Sequence, residues 1–126
     1  MSMIDTPLMR GLERVLDLSA LRHQVIATNL ANVDTPGYRT RDLRSFAGEI
    51  EQAMAGEQPP FTGQSFTPVA HEIRGLLERP DGNNVSVERE SLLLAQNQLR
   101  FTVAVQFLKA EFHRLTSAIT GGGSTS

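Results

Sequence analysis

Apolar residues recur with a helical period at both ends of this chain but not in its middle. Over residues 1–33 most of them fall on one side of a 3.6-residue period. Pro7 stands where the first turn of a helix tolerates proline, and Asp5 or Thr6 can cap that turn. The pattern predicts an N-terminal helix within residues 1–33.

The strongest periodicity lies in residues 85–120, where steps of four and three residues join apolar positions into a seam interrupted only by Gln98. Such a seam is typical of one helix of a coiled coil. Its apolar members are Leu94, Phe101, Val105, Leu108, Phe112, Leu115 and Ile119. A second apolar strip lies nearly opposite and consists of Leu92, Leu99, Val103, Phe107 and Ala110. One partner helix cannot cover both, so the pattern predicts a C-terminal coiled-coil helix with a second neighbour.

The middle, residues 34–84, is rich in glycine and proline and has no sustained apolar period. We expect it to be an irregular connector, and residues 121–126 to be a flexible tail. The fold class is then all-α: an elongated antiparallel two-helix coiled-coil hairpin built from the N- and C-terminal helices. A monomeric bundle, in which the middle segment covers the second strip, is an open alternative.

Composition narrows the function. With 12 Lys and Arg against 14 Asp and Glu, the chain has no basic surplus for nucleic acid or an anionic membrane. It has no cysteine, and His23, His71 and His113 lack an acidic or histidine neighbour at helical spacing, so we expect no metal and no cofactor. Catalytic serine motifs are also missing, so an enzyme is not expected. The start has no signal-peptide pattern, and no stretch has membrane-spanning length.

The end of the first helix carries a turn motif. Two asparagines, which tolerate left-handed backbone, precede a Pro-Gly pair that suits the central positions of a type II turn. The motif comprises Asn29, Asn32, Thr35, Pro36, Gly37 and Tyr38. By itself it indicates a rigid corner after a helix, which many unrelated proteins also have.

The string Ala31-Asn32-Val33-Asp34-Thr35-Pro36-Gly37-Tyr38-Arg39 resembles the N-terminal signature of flagellar rod and hook proteins. The stretches from Asp81 to Glu90, from Ala95 to Phe101 and from Phe112 to Ile119 resemble the proximal rod members of that family. The resemblance implies a structural subunit of the bacterial flagellar basal-body rod, in which the terminal helices pair as an antiparallel coiled coil.

The resemblance also implies export by the flagellar type III apparatus to a periplasmic rod. Phe46 and Ile50 fit the short motif that the export gate recognises in early substrates. The implied partners are other flagellar rod subunits with self-association, the rod-to-ring adaptor FliE, the membrane ring protein FliF and the export gate protein FlhB. Another class is kept as the alternative: a cytoplasmic coiled-coil adaptor or secretion chaperone.

Overall fold

The computed structural model of this chain describes residues 6–43 and 68–120. Two helices dominate these ranges: α1, Pro7–Ala31, and α2, Val87–Thr120. Two short strands stand between them in sequence, β1 at Arg41–Leu43 and β2 at Ala70–Glu72. At about 1.5 Å per residue, the helices extend roughly 37 and 51 Å. Neither helix is apolar enough over its length to cross a bilayer.

Local sequence explains where α1 begins and ends. The side chain of Thr6 accepts a hydrogen bond of 3.1 Å from the backbone N–H of Met9, and Pro7 occupies the first turn. At the other end, the side-chain amide of Asn32 donates to the carbonyl of Thr28 at 2.8 Å. These contacts satisfy backbone groups that a helix end would otherwise leave unpaired.

The first turn of α2 is stabilised in a similar way. The Ser86 hydroxyl accepts a hydrogen bond of 3.2 Å from the backbone N–H of Arg89. Glu88 and Glu90 place negative charge in that turn, where the partial positive charge of the helix N-terminus favours it.

The two helices pack against each other in antiparallel orientation. Asn29 near the end of α1 contacts Glu90 at the start of α2. Fourteen residues away along each helix, Val15 of α1 packs against Ala104 of α2. The half-buried Leu16 joins this apolar cluster. The prediction of an all-α fold made by two long paired helices is thereby confirmed.

The row of α2 that faces α1 most closely is mainly polar. Its buried positions recur every seven residues and are Glu90, Asn97, Ala104 and Glu111. The predicted seam lies beside this row: Leu94, Val105, Leu108 and Leu115 are half-buried, whereas Phe101, Phe112 and Ile119 are exposed in the single chain. Small and polar residues at the centre let the helices approach closely, and large apolar residues are displaced to the margins.

A small antiparallel sheet stands in the segment that the sequence predicted to be irregular. Arg41 pairs with Glu72, Asp42 with His71 and Leu43 with Ala70. The buried side chain of Leu43 packs on Leu18 of α1, so the sheet is attached to the helix by an apolar contact. Strands of three residues are too short to show alternation in sequence, which is why the pattern missed them.

Candidate functional site

The turn after α1 and the loop before α2 lie against each other and form what we call the corner, residues 29–43 and 79–90. Gly37 in the turn donates its backbone N–H to the carbonyl of Asp81 in the loop at 2.9 Å. Within the turn, Thr35 and Tyr38 donate their backbone N–H groups to the carbonyls of Asn32 and Thr35 at 3.0 and 3.1 Å. The corner thus joins two segments that are remote in sequence.

Asn29 lies at the centre of the corner and is fully buried. Its side-chain nitrogen donates to the carboxylate of Glu90 at 2.7 Å and to the carbonyl of Arg41 at 2.8 Å. Its side-chain oxygen accepts from the Tyr38 hydroxyl at 2.9 Å and from the backbone N–H of Arg41 at 3.1 Å. One amide therefore connects the turn, the edge of β1 and the start of α2, with all four of its hydrogen-bonding positions occupied.

Glu90 places a carboxylate in this buried position. One oxygen accepts from Asn29, and the other accepts from the guanidinium of Arg89 at 2.6 Å. A buried charge is tolerated only when it is paired and hydrogen-bonded, and both conditions hold here. Burial raises the pKa of the Tyr38 hydroxyl; nearby Arg41 opposes that rise, and the Glu90 carboxylate adds to it.

Asn83 is the counterpart of Asn29 on the loop and is also fully buried. Its side-chain nitrogen donates to the carbonyls of Asn32 at 2.9 Å and Thr35 at 2.8 Å. Its side-chain oxygen accepts from the backbone N–H of Val85 at 2.8 Å and from the Arg79 guanidinium at 2.7 Å. The turn's carbonyls are therefore satisfied by a side chain of the loop rather than by water.

Asn84 and Thr40 connect the loop to the chain that leaves the turn. The Asn84 side-chain oxygen accepts from the backbone N–H of Thr40 at 2.6 Å, and the Thr40 hydroxyl donates to the Asn84 carbonyl at 3.1 Å. Both residues are buried. These contacts hold the chain in the extended direction that leads into β1.

A buried ion pair attaches β1 to the middle of α1. The Arg22 guanidinium donates two hydrogen bonds to Asp42, at 3.0 Å to one oxygen and 2.8 Å to the other. This side-by-side arrangement is geometrically specific as well as strong. The exposed face of the corner carries a second cationic contact: Arg39 lies 3.2 Å from Glu72 and 3.3 Å from Glu78. The hydrogen bond to Glu72 raises the pKa of Arg39 above its ordinary value.

Two glycines permit the close approach of turn and loop. Gly37 and Gly82 have φ values of 76° and 86°, a left-handed backbone that favours glycine. A Cβ on Gly82 would stand 3.3 Å from the Cα of Gly37. The predicted positive φ at Gly37 is thus present, and the loop glycine is required for contact as well as for conformation.

The predicted motif residues separate into two groups. Asn29, Asn32 and Tyr38 are bonded inside the corner, and the Thr35 backbone carbonyl is bonded as well. Pro36 and Gly37 are exposed at its surface. Phe46 and Ile50 lie outside the described residues.

Sequence reasoning missed four polar residues of the corner, namely Asp42, Asn83, Asn84 and Glu90. It also missed Arg22 of α1, which pairs with Asp42. The adjacent asparagines after Asp81-Gly82 were the available signal, since such residues often bond to nearby backbone. In the described ranges no group of His, Asp and Glu is arranged to hold a metal ion. The hydrogen-bonding groups of the corner are largely occupied by each other, which suits a structural role.

Large apolar side chains of α2 face away from the corner and from α1. Leu92, Leu99, Val103 and Phe107 are all exposed, Leu99 with 64% of its surface and Phe107 with 59%. Contiguous exposed apolar side chains mark a surface that binds another chain. A rigid corner, paired helices and an exposed apolar face are features typical of a structural protein.

Comparison with known proteins finds similarity to flagellar rod proteins. The family described as flagella basal body rod protein matches residues 18–39, which run from the middle of α1 through the turn. The flagellar basal body rod protein FlgB of Salmonella typhimurium is 28% identical over 130 residues, which cover 90% of this chain and 94% of that protein. FlgB of Bacillus subtilis is 28% identical over 123 residues, covering 90% and 93%. FlgB of Aeromonas hydrophila is 28% identical over 116 residues, covering 84% and 87%.

The chain is similar to flagellar basal-body rod proteins over most of its length. The resemblance found in the turn motif and in the C-terminal stretches is thereby confirmed. The matched segment 18–39 contains Asn29 and Tyr38, so the family pattern covers the end of α1 and the turn within the corner, but not β1.

Proposed function

We propose that this chain is a subunit of the proximal part of the rod, exported by the flagellar type III apparatus and assembled by coiled-coil packing of its terminal helices. The observation that carries the proposal is the exposure of large apolar side chains on α2 beside a helix pair that is already formed. Several such side chains, at roughly 1.5 to 3 kcal/mol each on burial, are a sufficient driving force for association.

The corner has a defined role in this proposal. Asn29 and Asn83 form hydrogen bonds with backbone groups of the same chain. The corner therefore fixes the direction in which the connector leaves the helix pair. A subunit of a tubular assembly needs such a fixed direction, since an error in angle would be repeated at every subunit. The apolar seam would be covered by neighbouring helices in the rod, which accounts for its position at the margin of the intramolecular contact.

The proposed partners are other rod subunits, including copies of this chain, together with FliE, FliF and FlhB. The flagellar rod relatives support association with other rod components. FliE, FliF and FlhB are proposed from the resemblance in the sequence motifs. Phe46 and Ile50 are proposed as the residues that the export gate recognises. Because they lie outside the described residues, that assignment depends on sequence alone.

The decisive experiment for assembly uses Leu108→Asp, which puts a charge at a half-buried position of the seam. A matched control is Leu77→Asp, because Leu77 stands outside both helices and is 92% exposed. In a flagellated host whose own copy is deleted, we expect Leu108→Asp to be exported normally but to abolish rod formation and motility. Leu77→Asp should retain both. Normal motility with Leu108→Asp would refute the assignment of the seam.

Export is tested separately with Phe46→Ala. We expect reduced secretion of the variant into the medium by a rodless strain, with no change in its cytoplasmic level. Secretion equal to that of the unmodified protein would remove Phe46 from the export signal. Circular dichroism of dilute protein distinguishes the alternative class, a cytoplasmic adaptor or chaperone. An adaptor or chaperone should be fully helical on its own, whereas a rod subunit should be incompletely helical until it assembles.

A further inference from the structure

Asp81 and Gly82 are the single Asp-Gly pair of the full sequence, which contains no Asn-Gly pair. In an Asp-Gly pair the backbone nitrogen of the glycine can attack the side-chain carboxyl carbon of the aspartate, because glycine has no Cβ to hinder the approach. The carboxyl group loses its hydroxyl and the amide loses its hydrogen, so one water leaves and a five-membered succinimide ring forms. Water then opens the ring at either carbonyl and gives aspartate or isoaspartate.

The folded loop holds the attacking nitrogen in another contact. The Gly82 N–H donates to the Arg79 carbonyl at 2.9 Å and closes a turn that has Pro80 at its second position. Proline at the second position and glycine at the fourth are typical of such turns. The amide hydrogen that must leave for ring closure is therefore engaged, and the turn has to open before the attack.

The carboxyl group under attack is held as well. Asp81 Oδ1 accepts a hydrogen bond of 2.9 Å from the backbone N–H of Asn83, and the Asp81 backbone carbonyl accepts one of 2.9 Å from Gly37. Rotation of the side chain toward the Gly82 nitrogen breaks the first bond, and rotation of the backbone at Asp81 breaks the second. Asp81 is exposed to solvent, so these contacts, rather than exclusion of water, oppose the reaction.

Isoaspartate at position 81 does not fit the corner. Its main chain runs through the former side chain, which adds one carbon between residues 81 and 82 and turns the former backbone carbonyl into a free carboxylate. The acceptor of the Gly37 N–H is thereby displaced. A Cβ on Gly82 would already stand 3.3 Å from the Gly37 Cα, so the contact has little room for a longer backbone.

We propose that Asp81 is a site of isoaspartate formation that the folded corner suppresses, and that the modified chain can no longer form the corner. Folding and modification exclude each other because both use the same groups, the Gly82 N–H and the Asp81 carboxyl. The inference is independent of the function proposed above. A chain that stays unfolded for long acquires a covalent defect where turn and loop meet.

Ageing of the full-length chain tests suppression. One sample is kept at neutral pH in buffer, where circular dichroism shows the paired helices, and a second is kept in guanidinium chloride at the same pH and temperature. Isoaspartate is measured with a protein isoaspartyl methyltransferase and located by peptide mass spectrometry. We expect it to accumulate at residue 81 at least about tenfold faster in guanidinium chloride, because the folded loop is open for only a small fraction of the time. Equal rates would overturn the proposal.

Two variants in buffer separate the corner from the rest of the fold. Asn83→Ala keeps the Asp-Gly pair but removes the side-chain bonds from the loop to the turn, so it should raise the rate several-fold. Asn32→Ala removes bonds to Thr28 and Thr35 at the surface and should leave the rate unchanged. Asp81→Glu should give no signal at this position, since a six-membered ring closes more slowly. An Asn83→Ala rate no higher than that of Asn32→Ala would contradict protection by the corner.

The modified chain tests the second half of the proposal. Chain with isoaspartate at residue 81, separated by reversed-phase chromatography and returned to buffer, is unfolded with urea beside the unmodified chain. We expect an equilibrium constant for unfolding about tenfold larger, which corresponds to the loss of one hydrogen bond. Equal urea midpoints would show that the corner accommodates isoaspartate and would overturn this half.

Discussion

The Asn29 side chain donates a hydrogen bond of 2.7 Å to the Glu90 carboxylate, which lies 61 residues further along the chain. Both residues are fully buried, one at the end of α1 and the other in the first turn of α2. This bond fixes the relative position of the two helix ends that enter and leave the connector. It also places a charged group where only hydrogen bonds and one guanidinium compensate it.

Asn29→Ala is predicted to lower the free energy of unfolding by about 3 kcal/mol, since it removes the hydrogen bonds from Asn29 to a buried carboxylate and to two backbone groups of Arg41. The carboxylate then keeps only its contact with Arg89 among those described above. The measurement is urea unfolding followed by far-ultraviolet circular dichroism. Asn32→Ala is the matched control, because its side chain bonds to Thr28 and Thr35 at the surface. The control should lose about 1 kcal/mol. Equal losses would show that the corner is not held by Asn29.

Removing one partner of the Arg22–Asp42 ion pair is predicted to lower the free energy of unfolding more than replacing both partners with apolar residues. Asp42→Ala removes the carboxylate that accepts two hydrogen bonds from a buried guanidinium and should cost about 3–5 kcal/mol. The double change Arg22→Met/Asp42→Leu removes both charges and should cost clearly less.

The exposed Arg39–Glu72 pair provides the comparison for that experiment, since both side chains reach solvent. Removal of Glu72 by Glu72→Ala should change the free energy of unfolding by no more than about 1 kcal/mol. Should Asp42→Ala be as mild as Glu72→Ala in urea titration, the ion pair would not be what attaches β1 to α1.

Gly82 and Gly75 provide a test of close packing in the corner. Their φ values are nearly the same, 86° and 84°, so an alanine costs about 1–2 kcal/mol of backbone strain at either position. A Cβ at Gly82 would also lie 3.3 Å from the Gly37 Cα, whereas nothing stands within 4 Å at Gly75. We expect thermal unfolding to show a larger loss for Gly82→Ala than for Gly75→Ala. The reverse order would argue against tight contact between turn and loop.

Tyr38 is predicted to make stability sensitive to alkaline pH. Burial raises the pKa of its hydroxyl above the ordinary value of 10.0. A raised pKa in the folded state means that the contribution is complete below about pH 10 and is lost as pH rises through the folded pKa. In Tyr38→Phe this loss should disappear, and the missing hydrogen bond to Asn29 should cost about 1 kcal/mol at neutral pH.

The check is a comparison of urea midpoints for the natural chain and Tyr38→Phe between neutral pH and about pH 11. The two curves should approach each other above pH 10. Parallel curves over the whole range would mean that the Tyr38 hydroxyl is not held in the folded state.

The helices could be predicted from sequence because their signals are local. The Thr6 cap, Pro7 in the first turn and the apolar period all act within a few residues, and the observed α1 falls inside the predicted segment. The small sheet could not be predicted, because its two strands are separated by residues 44–69 and have only three residues each. The packing of Leu43 on Leu18 depends on that strand pairing, so it could not be predicted from the sequence either.

By itself the sequence determined two amphipathic helices, a stiff turn after the first, and more apolar surface on the second than one partner can cover. Tertiary structure alone decided which polar groups are buried, and hence that Asn29, Asn83 and Glu90 hold the corner. An asparagine or glutamate has the same short-range preferences in a solvated loop as in a core. Whether such a residue is buried or solvated depends on whether the fold brings a hydrogen-bond donor or acceptor from a remote segment next to it.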